Sequence, residues 1–181
     1  MSAADNPDLK LSYAQYVLFP DDGNRHEVID GDHYMNPAPS TYHQTVSKRL
    51  QHQLYTKIEL ANLGLVFNAP VDVHLAEHDI VQPDLVAILH ESTASVTPAK
   101  IKGAPDLLIE ILSPSTASND QNLKRRVYER SGVSEYWIVD PAGQTLLQLS
   151  ILDGRYVELP SSEDIALAVL PQVQISLSEV W

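Results

Sequence analysis

Two stretches of the chain set a carboxylate against an apolar run: Val-Gln-Pro-Asp-Leu-Val-Ala-Ile-Leu at 81–89 and Gly-Ala-Pro-Asp-Leu-Leu-Ile-Glu-Ile-Leu at 103–112. An ionised carboxylate inside an apolar strand is costly unless it is paired. A divalent cation removes that penalty and gives the charge a purpose. Strand geometry decides which acids can share one. Asp106 and Glu110 face the same side of one strand but lie about 13 Å apart at about 3.3 Å per residue, too far for ligands that must each come within about 2.1 Å of a Mg²⁺ ion. Neighbouring strands are only about 4.8 Å apart, so Asp84 and Glu110 can converge on one ion if 84–89 lies beside 107–112. The other reading of each acid is a pair with Arg or Lys, or a hydrogen bond at a strand end. That second reading suits Asp106, beside Pro105 at the strand mouth.

The elements that must position these acids read as follows. Leu11 to Phe19 suits a short helix, closed by the turn cluster Pro20-Asp21-Asp22-Gly23. Asp30-Gly31 between short runs at 26–35 predicts a hairpin. After Pro37-Ala38-Pro39, Ser40 or Thr41 can cap a helix whose stripe is Val46, Leu50, Leu54 and Ile58, with Gly64 past its end. Residues 65–69 and 71–75 read as strands around Pro70. The runs 84–89 and 107–112 suit central strands covered on both faces, joined by a Ser/Thr-rich loop at 92–98. Ser118 to Asp120 can cap a second helix through Arg130, stopped at Gly132. A strand at 136–139 and a closing hairpin through Asp153-Gly154 follow. This order predicts a mixed α/β sheet with helices on its faces.

With 181 residues, 44% of them hydrophobic, the chain is long enough to bury a core and is expected to form a single domain, 1–181, with a loose tail at 1–10. No apolar run approaches membrane-spanning length, and the polar opening residues do not read as a signal peptide. The absence of cysteine excludes disulfides and suits a cytoplasmic location. The net charge of −12 argues at first against a nucleic-acid partner. Yet residues 41–131 hold nine Lys and Arg against ten acids, a balance of −1. The acidity lies mostly elsewhere. His74 and His78 are four apart, but at the end of a strand rather than on a helix, so helical zinc geometry is absent.

A longer text carries a resemblance: Arg-His-Glu-Val-Ile-Asp-Gly at 25–31, the two Pro-Asp strands, the helix with Lys124 and Tyr128, and Gly-Val-Ser-Glu-Tyr-Trp-Ile-Val-Asp-Pro at 132–141. From about residue 12 to 160 the chain resembles the Uma2 family (DUF820), grouped with the restriction-endonuclease-like nucleases of PD-(D/E)XK pattern. The resemblance implies a restriction-endonuclease-like core at 41–141, a central mixed β-sheet flanked by helices, with an N-terminal hairpin and a C-terminal hairpin extension. It implies a Mg²⁺-dependent endonuclease, with Mn²⁺ as substitute, acting on nucleic acid and by expectation on DNA. A homodimer is the family-level expectation, and two-fold symmetry suits cutting both strands of a duplex.

The pattern places a lysine two residues after the second acid, where this chain has Leu112. Lys124 is the substitute: Gln121, Lys124 and Tyr128 share one helix face, and a long side chain there could reach Glu110. The expected catalytic set is therefore Asp84, Glu110 and Lys124, with Asp84 and Glu110 holding the metal. Glu27, His43, Gln82, Gln121 and Tyr128 are possible ancillary residues. Lys48, Arg49, Lys100, Lys102, Arg125 and Arg126 are candidate phosphate contacts. Leu112 and the overall charge keep a rival open, a catalytically inactive module of the same fold that binds nucleic acid or protein. An enzyme acting on a small phosphate compound is a third possibility.

Overall fold

The computed structural model describes residues 10–113 and 119–181, leaving out the side chains of 119–121. All but the last residue of the tail expected at 1–10 lies outside the described residues. Helix α1 (Tyr13–Tyr16) leads to the hairpin of β1 (Arg25–Ile29) and β2 (Asp32–Asn36). Helix α2 (Thr41–Leu54) continues as a π-helical turn at Tyr55–Glu59. Next come β3 (Gly64–Asn68), β4 (Val73–Ala76), β5 (Asp79–Val81), β6 (Leu85–Leu89), β7 (Ser95–Val96), β8 (Ile101–Lys102) and β9 (Leu107–Ile111). A π-helical stretch at Asn119–Lys124 runs into α3 (Arg125–Ser131). The chain continues through β10 (Glu135–Asp140), β11 (Thr145–Leu152), β12 (Arg155–Glu158), β13 (Asp164–Ala166) and β14 (Gln174–Ser176). No helix among the described residues is long and apolar enough to cross a membrane.

The central sheet is mixed, in the order β12-β11-β10-β9-β6-β3, with β9 and β10 parallel and the other neighbours antiparallel. Strict alternation along its strands builds two cores. Leu85, Ala87, Leu107, Ile109 and Ile111 face one side, where Val46, Leu50 and Leu54 of α2 and Ile58 of its continuation pack with the C-terminal residues Ile165, Val173 and Ile175. Val86, Ile88, Leu108 and Ile138 face the other side, against Val127 and Tyr128 of α3 and Ile29, Val73, Val81 and Ile101. Those last four belong to a second sheet, ordered β2-β1-β5-β4-β8-β7. β13 and β14 pair separately.

The capping residue, the apolar stripe and both hairpins stand where the sequence places them. Ser40 accepts the His43 N–H at 3.1 Å to start α2, and Gly132 ends α3 in the left-handed region at φ 81°. Gly64 serves a close approach: a Cβ there would lie 2.3 Å from the Ile88 carbonyl oxygen. The second sheet was not foreseen, because β5, β7 and β8 are only two or three residues long and too short to show a period. The 92–98 connection thus contains β7, an edge strand.

Glu135 explains how the C-terminal segment is held. It is fully buried on β10 and accepts hydrogen bonds from Trp137 Nε1 (2.6 Å), Gln148 Nε2 (2.6 Å) and the Val169 N–H (3.0 Å). Burial pushes its carboxyl above the ordinary value, against these donors, which favour the charged form. Glu135→Ala strands three donors at once, and a loss of about 3 kcal/mol is expected. Urea denaturation, read as a lower midpoint at unchanged slope, checks this.

Candidate active site

Glu110 occupies a slot in β9 that alternation assigns to the α3 side of the sheet, and it is buried there. Lys124 Nζ (2.9 Å) and the Tyr128 hydroxyl (2.6 Å) both donate to its Oε1. Four residues apart, they project from one helical face, so a single turn aims both at the same oxygen. Lys124 is itself 2% exposed and reaches Glu27 Oε1 of β1 at 2.9 Å. Glu27 in turn accepts the Gln82 backbone N–H (2.7 Å) and Asn36 Nδ2 (2.7 Å). One ammonium thus bridges two carboxylates brought from two different sheets. Burial, then the charges of Glu110 and Glu27, push the Tyr128 hydroxyl far above its ordinary range, so it stays a donor.

Asp84 lies one residue before β6. Extending the Leu85–Ile109 pair by one step sets it opposite Glu110. Its Oδ1 accepts Arg25 NH1 at 2.9 Å. Its Oδ2 accepts the Ile111 N–H (2.9 Å) and lies 3.2 Å from His43 Nε2. The Ile111 carbonyl oxygen is 3.0 Å from the same His43 nitrogen. Two acceptors at Nε2 require it to carry the proton. Burial alone would raise the Asp84 carboxyl, but the His43 hydrogen bond, the Arg25 charge and the Ile111 N–H outweigh it, and the group sits below its ordinary 3.8. A cleft of about 270 Å³ opens over Asp84, with Arg25 and His43 in its wall and Gln44, Lys48 and Asn68 around it.

The other sequence candidates scatter. Gln82 contributes its backbone N–H to Glu27, while its side chain turns away from Asp84 to Asp72 (2.8 Å) and the Tyr16 hydroxyl (3.1 Å). The Gln121 side chain lies outside the described residues. Of the six basic candidates, Lys48 alone lines the Asp84 cleft. Arg49 is turned to the Val180 carbonyl (3.3 Å), and Lys100 sits 3.0 Å over the Tyr13 ring beside His74. Lys102 is exposed on β8, Arg125 pairs with Glu158 at 3.5 Å, and Arg126 is exposed. Asp106 accepts the Leu89 N–H at 2.8 Å, a strand-end bond away from the cleft. Sequence reasoning passed over Arg25 as a site residue. The signal was its spacing: Arg25 and Glu27, two apart on a strand, share a face.

Among the described residues the cluster holds three buried carboxylates, Glu27, Asp84 and Glu110, against two basic side chains, Arg25 and Lys124. The excess negative charge and the hard oxygen donors of Asp84, Glu110 and the Ile111 carbonyl fit a Mg²⁺ ion. No three His, Asp or Glu side chains among the described residues form a ready metal cage. Mg²⁺ does not need one, being commonly held by one or two carboxylates with waters and substrate phosphates.

The model of the Uma2 family, described as "Putative restriction endonuclease", matches residues 13–178. The crystal structure of "a putative nuclease belonging to DUF820" from Anabaena variabilis matches with a TM-score of 0.75 at 16% identity, covering 94% of this chain and 97% of that one. The two share a fold. Among curated proteins, none matches the chain.

Because Asp84 is held below its ordinary value, the unfolded chain takes up this proton at higher pH than the folded one. Its contribution to stability is complete above the ordinary value of 3.8 and is lost as pH falls through the depressed folded value. Asp84→Asn is therefore expected to be less stable than wild type at neutral pH, with the difference shrinking as pH falls below the ordinary value of 3.8. Urea titrations across that range measure it.

Proposed function

The chain belongs to the Uma2 family, and on that premise we propose that it is a Mg²⁺-dependent endonuclease hydrolysing phosphodiester bonds of nucleic acid, with DNA as its substrate. The observation that carries this reading is Lys124, buried 2.9 Å from Glu110 on a strand whose neighbour brings in Asp84. Leu112 stands where the fold's usual pattern has lysine, and α3's entry turn supplies an ammonium to the same acid from the helix packed on that face.

Asp84 and Glu110, with the Ile111 carbonyl, would hold the ion. Bound there, Mg²⁺ supplies Lewis-acid polarisation of the phosphoryl oxygen and a water acidified toward neutrality. Lys124 supplies a fixed positive charge in a site of low dielectric, where a preorganised charge opposes the negative charge that develops on the phosphoryl group. Glu27 holds that ammonium from the far side, so it cannot swing to solvent. Tyr128 keeps Glu110 oriented by donating to it. His43 fixes Asp84 and the Ile111 carbonyl in one geometry. Lys48, at the cleft, is placed to meet a flanking phosphate. A homodimer would present two such clefts to the two strands of a duplex.

One observation favours a second reading, a nuclease-fold module that binds without cutting: Asp84 and Glu110 each already carry a cationic partner. Plasmid nicking at low salt with Mg²⁺ or Mn²⁺ separates the two. Wild type is expected to nick, and Glu110→Gln and Lys124→Met to lose about a hundredfold or more of the rate, with folding checked by circular dichroism. Wild type that leaves duplex, single-stranded DNA and RNA intact transfers the reading to the binding module.

A further inference from the structure

Arg25 is engaged far less completely than an arginine tied into a fold. Arg130 shows what full engagement looks like in this chain: NH2 contacts both oxygens of Asp79 at 2.8 and 2.7 Å, while NH1 reaches Asp30 at 2.6 Å. Arg25 makes one hydrogen bond among the described residues, from NH1 to Asp84 Oδ1, and its Nε is buried without a partner. A guanidinium has five N–H donors in a planar fork. Most of this fork is unused, and it lines the cleft over Asp84.

Asp84 Oδ1 is also the oxygen a cation would need. Oδ2 is occupied by the Ile111 N–H and His43, two contacts that hold the carboxylate in place. An ion taking Asp84 through Oδ1 meets the Arg25 guanidinium on the same atom, and two positive charges at that separation repel strongly in a buried setting. A divalent ion and Arg25 therefore compete for Asp84.

We propose that Arg25 is an exchangeable counter-ion. It neutralises Asp84 in the metal-free protein. When a divalent cation takes over the carboxylate, its fork turns into the cleft and binds the non-bridging oxygens of a phosphodiester. The fork geometry matches a phosphate bidentately, and the cleft carries no acid besides Asp84. Exchange also links the two events: substrate phosphate gives the displaced guanidinium a new partner, so metal and nucleic acid each favour the binding of the other. The substrate half of this inference rests on the nuclease reading above. The competition at Asp84 does not.

The test uses the full chain, with Mn²⁺ affinity by calorimetry and affinity for a short labelled duplex in Ca²⁺ by fluorescence anisotropy. Arg25→Met is expected to bind Mn²⁺ about tenfold more tightly than wild type and the duplex about tenfold more weakly. A merely structural role for Arg25 would weaken both. Arg25→Lys, which keeps the charge and guards against misfolding of the first variant, is expected to keep wild-type Mn²⁺ affinity while losing duplex affinity, because an ammonium cannot fork. Unchanged or weaker Mn²⁺ binding in folded Arg25→Met overturns the proposal, as does Arg25→Lys with wild-type duplex affinity. Tighter Mn²⁺ binding by Arg25→Met in a protein that never cuts keeps the exchange and removes the nuclease. Cutting by a wild type whose Mn²⁺ affinity is indifferent to Arg25 does the reverse.

Discussion

The bridge from Glu27 through Lys124 to Glu110 joins three elements that are far apart in the chain. β1, the entry to α3, and β9 each contribute one charge, and none of the three is solvated. Burying any one of them alone would be prohibitive. Together they require the second sheet, the helix and the central sheet to close on one another in a single arrangement. Removing one partner leaves the other charges uncompensated, and a buried pair is far more damaging to break than it is stabilising to form.

The surrounding contacts make sense as supports for that bridge. Arg130, on the helix that Lys124 precedes, takes Asp79 and Asp30, which anchors α3 to β5 and to the turn between β1 and β2. Asn36 of β2 and the backbone N–H of Gln82 complete the shell of Glu27. Asp84 and His43 close the opposite end, where α2 begins on the other face of the central sheet. Rigid elements thus approach the cluster from both faces of the sheet. Arg25 is the loosely held member of the group, and it faces the cleft together with Asp84 and His43.

The two apolar acidic strands, the capped helix and both hairpins were legible in the sequence because each rests on local chemistry: period two or three and a half, a capping serine, an Asp-Gly turn. Asp84 and Glu110 could be named as neighbours from strand spacing, and Lys124 from a helical face and the absence of lysine at 112. The partners of Arg25 and Asn36 could not. Arg25 shares a strand face with Glu27, but the acid it serves lies fifty-nine residues away, and Asn36 stands at the open end of the hairpin, where nothing local points its amide at Glu27. The short strands β5, β7 and β8 escaped for the same reason, being defined by their neighbours rather than by any period.

By itself, then, the sequence determined the chemical types and the faces: which acids sit in apolar strands, which side of β9 Glu110 must take, and which helix face carries the compensating lysine. The tertiary structure alone decided the pairings. Whether Lys124 meets one carboxylate or two depends on a second sheet folding over the first. Whether Asp84 meets a cation depends on Arg25 arriving from a strand fifty-nine residues away. Side-chain direction is a local consequence of backbone period, but the partner of a buried charge is set by whichever distant element fills the space opposite, and that is a property of packing.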